Sequence, residues 1–152
     1  MKIYTSWYDN YTGDSGVQIT NSLPSGAVVY KKIPSLYPKW NTVTLWNSVR
    51  KLPVGTRERQ VVWGIFCKEY RDKLNKLGAR KIIEQLTDGD VLLGWFRRNC
   101  HRQILMRYLR EHGVEVEELV SGSTADGILY PRWESRGDGR IDTMGFGIRQ
   151  ES

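Results

Sequence analysis

The sequence has little cysteine, little histidine and no long apolar run. Only two residues of each of these types occur among 152. They lack the paired spacing of zinc ligands and allow at most one disulfide. The most continuous apolar stretch, residues 91–96, is far shorter than the roughly 20 residues that cross a bilayer. We therefore expect no metal, no cofactor, no membrane association and no disulfide framework.

No export signal is recognisable at the amino end, which favours a cytoplasmic location with reduced thiols. Lys and Arg outnumber Asp and Glu by 23 to 17, giving a net charge of +6. This charge favours anionic partners. A small anionic ligand such as a nucleotide, and nucleic acid, both remain open, and no sequence feature identifies a protein partner.

The composition is that of an ordinary globular protein, with 39% hydrophobic and 26% charged residues. The length favours a single domain. We predict one α/β domain over residues 1–152, with its core over about 1–120. An irregular, glycine-rich extension is predicted over 121–152, where the helical and strand patterns end.

The amino-terminal part predicts short strands and loops. Residues 1–5 and 27–31 are typical of strands, and the stretch 9–26 between them is rich in polar residues and glycine, as expected of a loop. The segment 33–40 contains two prolines, which oppose a regular helix. A weak helical pattern follows over 43–49, where threonines lower the helix propensity.

The strongest helical pattern runs from 56 to 77, and Gly78 is its predicted end. A shorter helix is predicted over 79–86. The long helix should bury one apolar stripe whose members recur at helical spacing: Val62, Phe66, Tyr70, Leu74 and Leu77.

A strand, a helix and a second strand are predicted next. Residues 91–96 indicate a buried strand, Asn99 a helix N-cap, 100–112 an amphipathic helix, and 114–118 a half-exposed edge strand. Strand, helix and strand in this order form the parallel crossover unit. The sequence therefore predicts a small, mostly parallel sheet flanked by helices.

The turn between this strand and this helix is the predicted functional site. In open α/β sheets, ligands bind at the carboxyl ends of the strands. There the first helical turn offers unpaired N–H groups, and Arg97, Arg98 and Arg102 would add guanidinium groups suited to phosphate. Cys100 at the helix start would have a lowered pKa and is the candidate catalytic nucleophile.

The end of the first strand is predicted to complete the site. Aromatic rings there would suit a nucleobase beside the anion. One alternative function is a cysteine-dependent enzyme acting on a nucleotide-like substrate. An enzyme of this kind would use Cys100 as nucleophile, or else Tyr8, Asp9 or Asp14 as acid-base groups. The full set of predicted ligand-binding residues is Thr5, Ser6, Trp7, Tyr8, Arg98, Asn99, Cys100, His101 and Arg102.

Two other interpretations remain open. In the structural one, Cys100 packs under the sheet, Arg102 braces a neighbouring carboxylate and His101 faces solvent or caps the helix. In the other, a basic and aromatic surface binds nucleic acid, although no recognition motif is present. Its candidate residues are Lys31, Lys32, Lys39, Arg50, Lys51, Arg132, Arg136 and Arg140.

Several short motifs resemble the domain-of-unknown-function family 488, which includes the YeaO-like group. They are KIYTS at 2–6, IPSLYP at 33–38, VLL at 91–93 and CHR at 100–102, followed by the apolar stripe at 105–109. The resemblance implies a small cytosolic α/β protein in which the first strand and the Cys-His-Arg turn lie side by side at one rim. It implies no particular reaction.

The sequence departs from this family at two places. Many members carry a second cysteine before the motif, where this chain has Gly94 and Trp95, which argues against dithiol chemistry. Many also have Ile-Gly-His-Ser after the opening Tyr-Thr pair, whereas Ser6, Trp7 and Tyr8 follow here. The histidine of that opening is therefore missing.

Overall fold

The computed structural model describes residues 1–119, and the predicted extension over 121–152 lies outside the described residues. Five strands form one sheet in the order β3-β2-β4-β1-β5, and every pair of neighbours is parallel. The predicted α/β class is thus confirmed. The strands are β1 (Lys2–Trp7), β2 (Gly16–Gln18), β3 (Lys31–Lys32), β4 (Val91–Gly94) and β5 (Glu115–Glu118).

The helices follow the predicted pattern closely. A short 3₁₀ helix, Pro34–Leu36, occupies the proline-containing connection, where proline fits the first helical position. The α-helices are α1 (Trp40–Val49), α2 (Arg57–Leu77), α3 (Ala79–Glu84) and α4 (His101–Glu111).

The main core lies between the sheet and the helices α2 and α4. Ile3 on β1, Leu92 on β4 and Leu105 on α4 are completely buried in it. Four members of the stripe predicted on α2 are buried as well, from Val62 to Leu74, because this face of α2 packs towards α4. Strand β4 is central and buried along its whole length, as its apolar run predicted.

The position predicted for the second strand, residues 27–31, was wrong. Pairing begins only at Lys31, and an unpredicted strand, β2, lies within the stretch that had been interpreted as a loop. Local propensity misses β2 because it has only three residues and one aliphatic side chain, Val17. It forms because it pairs with β3 on one side and β4 on the other. Gly16 allows a close approach to Leu93, because a Cβ at position 16 would lie 2.8 Å from Leu93 Cδ1.

No helix within residues 1–119 is long and apolar enough to cross a membrane. The cytoplasmic location stays a prediction.

Candidate functional site

The candidate site lies at the carboxyl edge of the sheet. Because all strands are parallel, β1, β2 and β4 end at this edge. The segments that follow them begin with Tyr8, Ile19 and Trp95, and α4 begins here too. This is the place where ligands bind in open α/β sheets.

The start of α4 differs from the prediction at Asn99. Cys100 is the N-cap, with φ −122° and ψ 148°, and the first helical residue is His101. Asn99 has a φ of 50°, a left-handed conformation that asparagine tolerates better than most residues. The N–H of Cys100 donates to Oε1 of Gln103 at 3.1 Å. Asn99 therefore turns the chain into the helix and does not cap it.

Cys100 and His101 form a buried pair. The Cys100 Sγ lies 3.7 Å from His101 Nδ1, and His101 Nε2 lies 2.7 Å from the Ile19 carbonyl oxygen. The Tyr70 ring contacts the imidazole edge-on, with 5.1 Å between centroids. His101 is therefore held between the end of β2 and α2, and the interpretation that places it in solvent is wrong.

The electrostatic surroundings favour a Cys100 thiolate. Burial raises the pKa of the thiol, but the charge of His101, its hydrogen bond to Sγ, the charge of Arg102 and the N–H of Arg102 together outweigh burial and lower this pKa to about 6. The N-terminal end of α4 acts in the same direction.

Arg102 does not face a ligand. It is completely buried, and its Nη1 donates to both carboxylate oxygens of Glu118, at 2.7 and 2.8 Å. Its Nη2 donates to the carbonyl oxygens of Phe96 at 3.1 Å and Arg97 at 2.6 Å. The guanidinium group thus ties the turn after β4 to the edge strand β5. This agrees with the structural interpretation, in which Arg102 braces a neighbouring carboxylate. The N–H groups of Nη1 and Nη2 are all used within the protein, so they do not bind an anionic ligand.

The residues at the end of β1 differ in their surroundings. Thr5 and Ser6 are completely buried: Thr5 Oγ1 donates to Glu118, and Ser6 Oγ donates to the Leu119 carbonyl at 3.2 Å. Neither residue lines either of the two cavities at this edge of the sheet. Tyr8 pairs with Thr20 Oγ1 at 2.7 Å, and burial raises its pKa to about 12, which makes it a hydrogen-bond donor and not a base at neutral pH.

One cavity of about 470 Å³ reaches the Cys100–His101 pair. We call it the aromatic cavity because five aromatic side chains line it. Hydroxyl and amide groups of Thr20, Asn21, Ser22, Asn47 and Asn99 also line it, together with Arg50 and Lys51. The aromatic lining residues are Trp40, Trp46, Phe66, Trp95 and Phe96.

A second cavity of about 450 Å³ adjoins the first. We call it the arginine cavity because Arg50, Arg59, Arg97 and Arg98 line it. Among the described residues of its wall, Asp9 carries the one carboxylate. The two cavities share five wall residues: Trp46, Arg50, Trp95, Phe96 and Asn99. A ligand could therefore extend from one cavity into the other.

Aromatic faces hold the guanidinium groups in the arginine cavity. Arg50 lies 4.0 Å from the centroid of Phe96, Arg59 lies 5.3 Å from that of Trp46, and Arg97 lies 5.8 Å from that of Trp7. Such stacking restricts the orientation of a guanidinium group.

The predicted site is thus partly assembled. At least one of the two cavities is lined by each of Trp7, Arg98, Asn99, Cys100 and His101. Thr5, Ser6, Tyr8 and Arg102 are not among the lining residues. Sequence reasoning missed Trp46, Phe96 and Arg59, and it gave Arg50 only to the nucleic-acid alternative. Of that alternative's residues, Arg132, Arg136 and Arg140 lie outside the described residues, and Lys31 forms an ion pair of 2.7 Å with buried Asp90.

Within the part of the chain that the structure describes, no group of three or more His, Cys, Asp or Glu side chains could hold a metal ion. A scan of the sequence against protein-family models finds no matching family, and no curated protein and no solved structure matches the chain. The resemblance to family 488 stays a prediction.

Proposed function

We propose that the protein binds a phosphate-bearing, nucleotide-type ligand across the two adjoining cavities. The observation that carries this proposal is the shared wall between a cavity lined by four arginines and a cavity lined by five aromatic rings. Guanidinium groups bind phosphate through paired, charge-assisted hydrogen bonds. Aromatic faces accept the flat surface of a base.

Trp46 provides independent support. It lines both cavities and is 98% buried, and its indole N–H has no hydrogen-bond partner among the described residues. A buried donor without an acceptor costs free energy, which an acceptor atom of a ligand would recover. A polar ligand at the junction of the two cavities is the acceptor that we propose for this donor.

The assignment of the anion contacts changes accordingly. Arg97 and Arg98 keep their predicted role, Arg50 joins them, and Arg102 becomes the buried residue that positions their turn. We expect Arg50 to contribute to both parts of the site, because it lines both cavities. The base is expected in the aromatic cavity and the phosphates in the arginine cavity.

Replacing Arg50 tests this proposal. Arg50→Gln should weaken binding of adenosine 5′-diphosphate about tenfold in calorimetric titration, which corresponds to about 1.4 kcal/mol for one charge-assisted contact. Arg80→Gln is the matched control, because it removes the same charge from a side chain that is 90% exposed on α3. Its affinity should equal that of the wild type.

Three further titrations identify which part of the ligand is bound. Adenosine and pyrophosphate should each bind more weakly than the diphosphate. Equal affinity for pyrophosphate and the nucleotide would exclude the aromatic cavity from the site. Unchanged affinity in Arg50→Gln would exclude the arginine cavity. A single-stranded oligonucleotide whose affinity falls steeply with salt, while the nucleotide does not bind, would instead favour the nucleic-acid alternative.

A further inference from the structure

The Cys100–His101 pair has the geometry of a nucleophile and its base. Both residues are more than 95% buried as whole residues, and both are among the residues that line the aromatic cavity. The two side chains are in hydrogen-bond contact, with Sγ 3.7 Å from Nδ1. The cavity therefore places space for a ligand next to this pair.

The Ile19 carbonyl determines which nitrogen of His101 carries the proton. A carbonyl oxygen only accepts hydrogen bonds, so the Nε2 atom 2.7 Å away is the donor. In the neutral ring Nδ1 is then the unprotonated nitrogen, and it faces the thiol. Nδ1 can therefore take the proton of Cys100, and the resulting imidazolium donates to both the thiolate and Ile19. The carbonyl has the orienting role that a third residue has in catalytic triads.

Other groups packed around Sγ are consistent with this assignment. Arg102 adds a positive charge that Glu118 partly balances. Tyr8 and Tyr70 are the nearby acidic hydroxyls, and burial raises the pKa of each, so both stay neutral while the thiol ionises. Gly94 supplies the space for the sulfur, because a Cβ at this position would lie 2.4 Å from Sγ.

The surroundings of Cys100 suit attack on a carbonyl carbon better than attack on a phosphorus atom. A thiolate repels a phosphate dianion unless cations surround the point of attack, and most of the guanidinium groups line the adjoining cavity. The residues that line the aromatic cavity are instead mostly neutral, and the side-chain amide of Asn47 among them can donate to the oxygen of a carbonyl group.

We infer that Cys100 is the nucleophile of an acyl-transfer or acyl-hydrolysis reaction on an acyl group carried by the bound ligand. In the first step the Cys100 Sγ–carbon bond forms and the bond from that carbon to its oxygen or nitrogen leaving group breaks. The leaving group departs with the proton from His101 Nδ1. Water then attacks the thioester, His101 takes its proton, and the carboxylic acid and the thiol are released. The identity of the substrate rests on the proposed function, whereas the reactivity of Cys100 does not.

Acetylation by 4-nitrophenyl acetate tests the nucleophile on the full chain. The wild type should release about one equivalent of nitrophenolate in a burst, and peptide mapping should locate the acetyl group on Cys100. The burst rate should rise with a midpoint near pH 6, since the pKa of the thiol is lowered to about 6. The same chain unfolded in urea should show a midpoint near the ordinary thiol value of about 8.5.

Variants show whether the burst depends on Cys100 and His101 or on other residues of the protein. Cys100→Ala should abolish the burst, and His101→Gln should slow it about a hundredfold at pH 7, the usual size of a general-base contribution. Cys67→Ala is the control, because this second cysteine lies in the core on α2 and is not among the residues lining the two cavities. Its burst should equal that of the wild type.

The pH dependence of the burst and the site of acetylation in the wild type test the inference even where a variant fails to fold. Acetylation confined to lysines or Cys67, or a rate that rises only above about pH 8, overturns the inference. The probe carries no phosphate, so the result is independent of nucleotide binding. Acetylation of Cys100 without nucleotide affinity would refute only the proposed ligand, and nucleotide affinity without acetylation would refute only the nucleophile.

Discussion

Glu118→Ala is expected to lower the free energy of unfolding by about 3–5 kcal/mol, because it leaves the buried guanidinium group of Arg102 without a counter-charge. The Arg102 side chain is completely buried and that of Glu118 is 7% exposed. Glu118 also accepts a hydrogen bond from Thr5. The substitution therefore removes the connection between β5 and the turn before α4. Urea denaturation followed by circular dichroism would measure the loss.

The neighbouring carboxylate provides the control for this prediction. Glu117 forms an ion pair of 2.7 Å with Lys2, but its side chain is 57% exposed, so Glu117→Ala should cost less than about 1 kcal/mol. Combining Glu118→Leu with Arg102→Met should recover most of the loss, because no buried charge then remains. Equal losses at positions 117 and 118 would show that Arg102 is not a buried, paired cation.

Gly94→Ala is expected to cost about 3 kcal/mol of unfolding free energy through overpacking. An added Cβ would lie 2.4 Å from Cys100 Sγ and 3.0 Å from Arg102 Cδ, and both neighbours are buried. Neither side chain is able to move into solvent without breaking contacts at the start of α4. We also expect the variant to lose the reactivity of Cys100, because the methyl group displaces Sγ from His101.

A second substitution identifies the cause of this loss. In Gly94→Ala combined with Cys100→Ala the sulfur is absent, so the closest clash disappears and much of the stability should return. Thermal or urea unfolding of the two single variants and the double variant completes the cycle. A cost of Gly94→Ala below about 0.5 kcal/mol, or additive effects in the double variant, would contradict the close approach between Gly94 and Cys100.

The sequence predicted the elements around the site because their patterns are local. The apolar run in β4 and the helical stripe in α4 indicate a buried strand followed by a helix without any knowledge of partners. Asn99 shows the limit of such rules. Asparagine is favoured both at N-caps and in left-handed turns, and only the path of the chain into α4 determines which property is used.

The division of roles among the site residues could not be predicted locally. Arg102 resembles an anion ligand in the sequence, and its pairing with Glu118 depends on β5 lying beside β1. The Ile19 carbonyl, which orients His101, is a backbone atom that leaves no signal in residue identity. Arg50 reaches the site because α1 packs close to the turn after β4, a tertiary contact between distant parts of the chain.

The position of bound adenosine 5′-diphosphate in a crystal structure of the complex is the most direct measurement of the proposed site. We predict that the base lies among the rings of the aromatic cavity, within reach of the Trp46 indole N–H. The phosphates should lie in the arginine cavity against Arg50, Arg97 and Arg98. A nucleotide bound at another surface, or two empty cavities at a concentration that saturates binding in solution, would contradict the proposal.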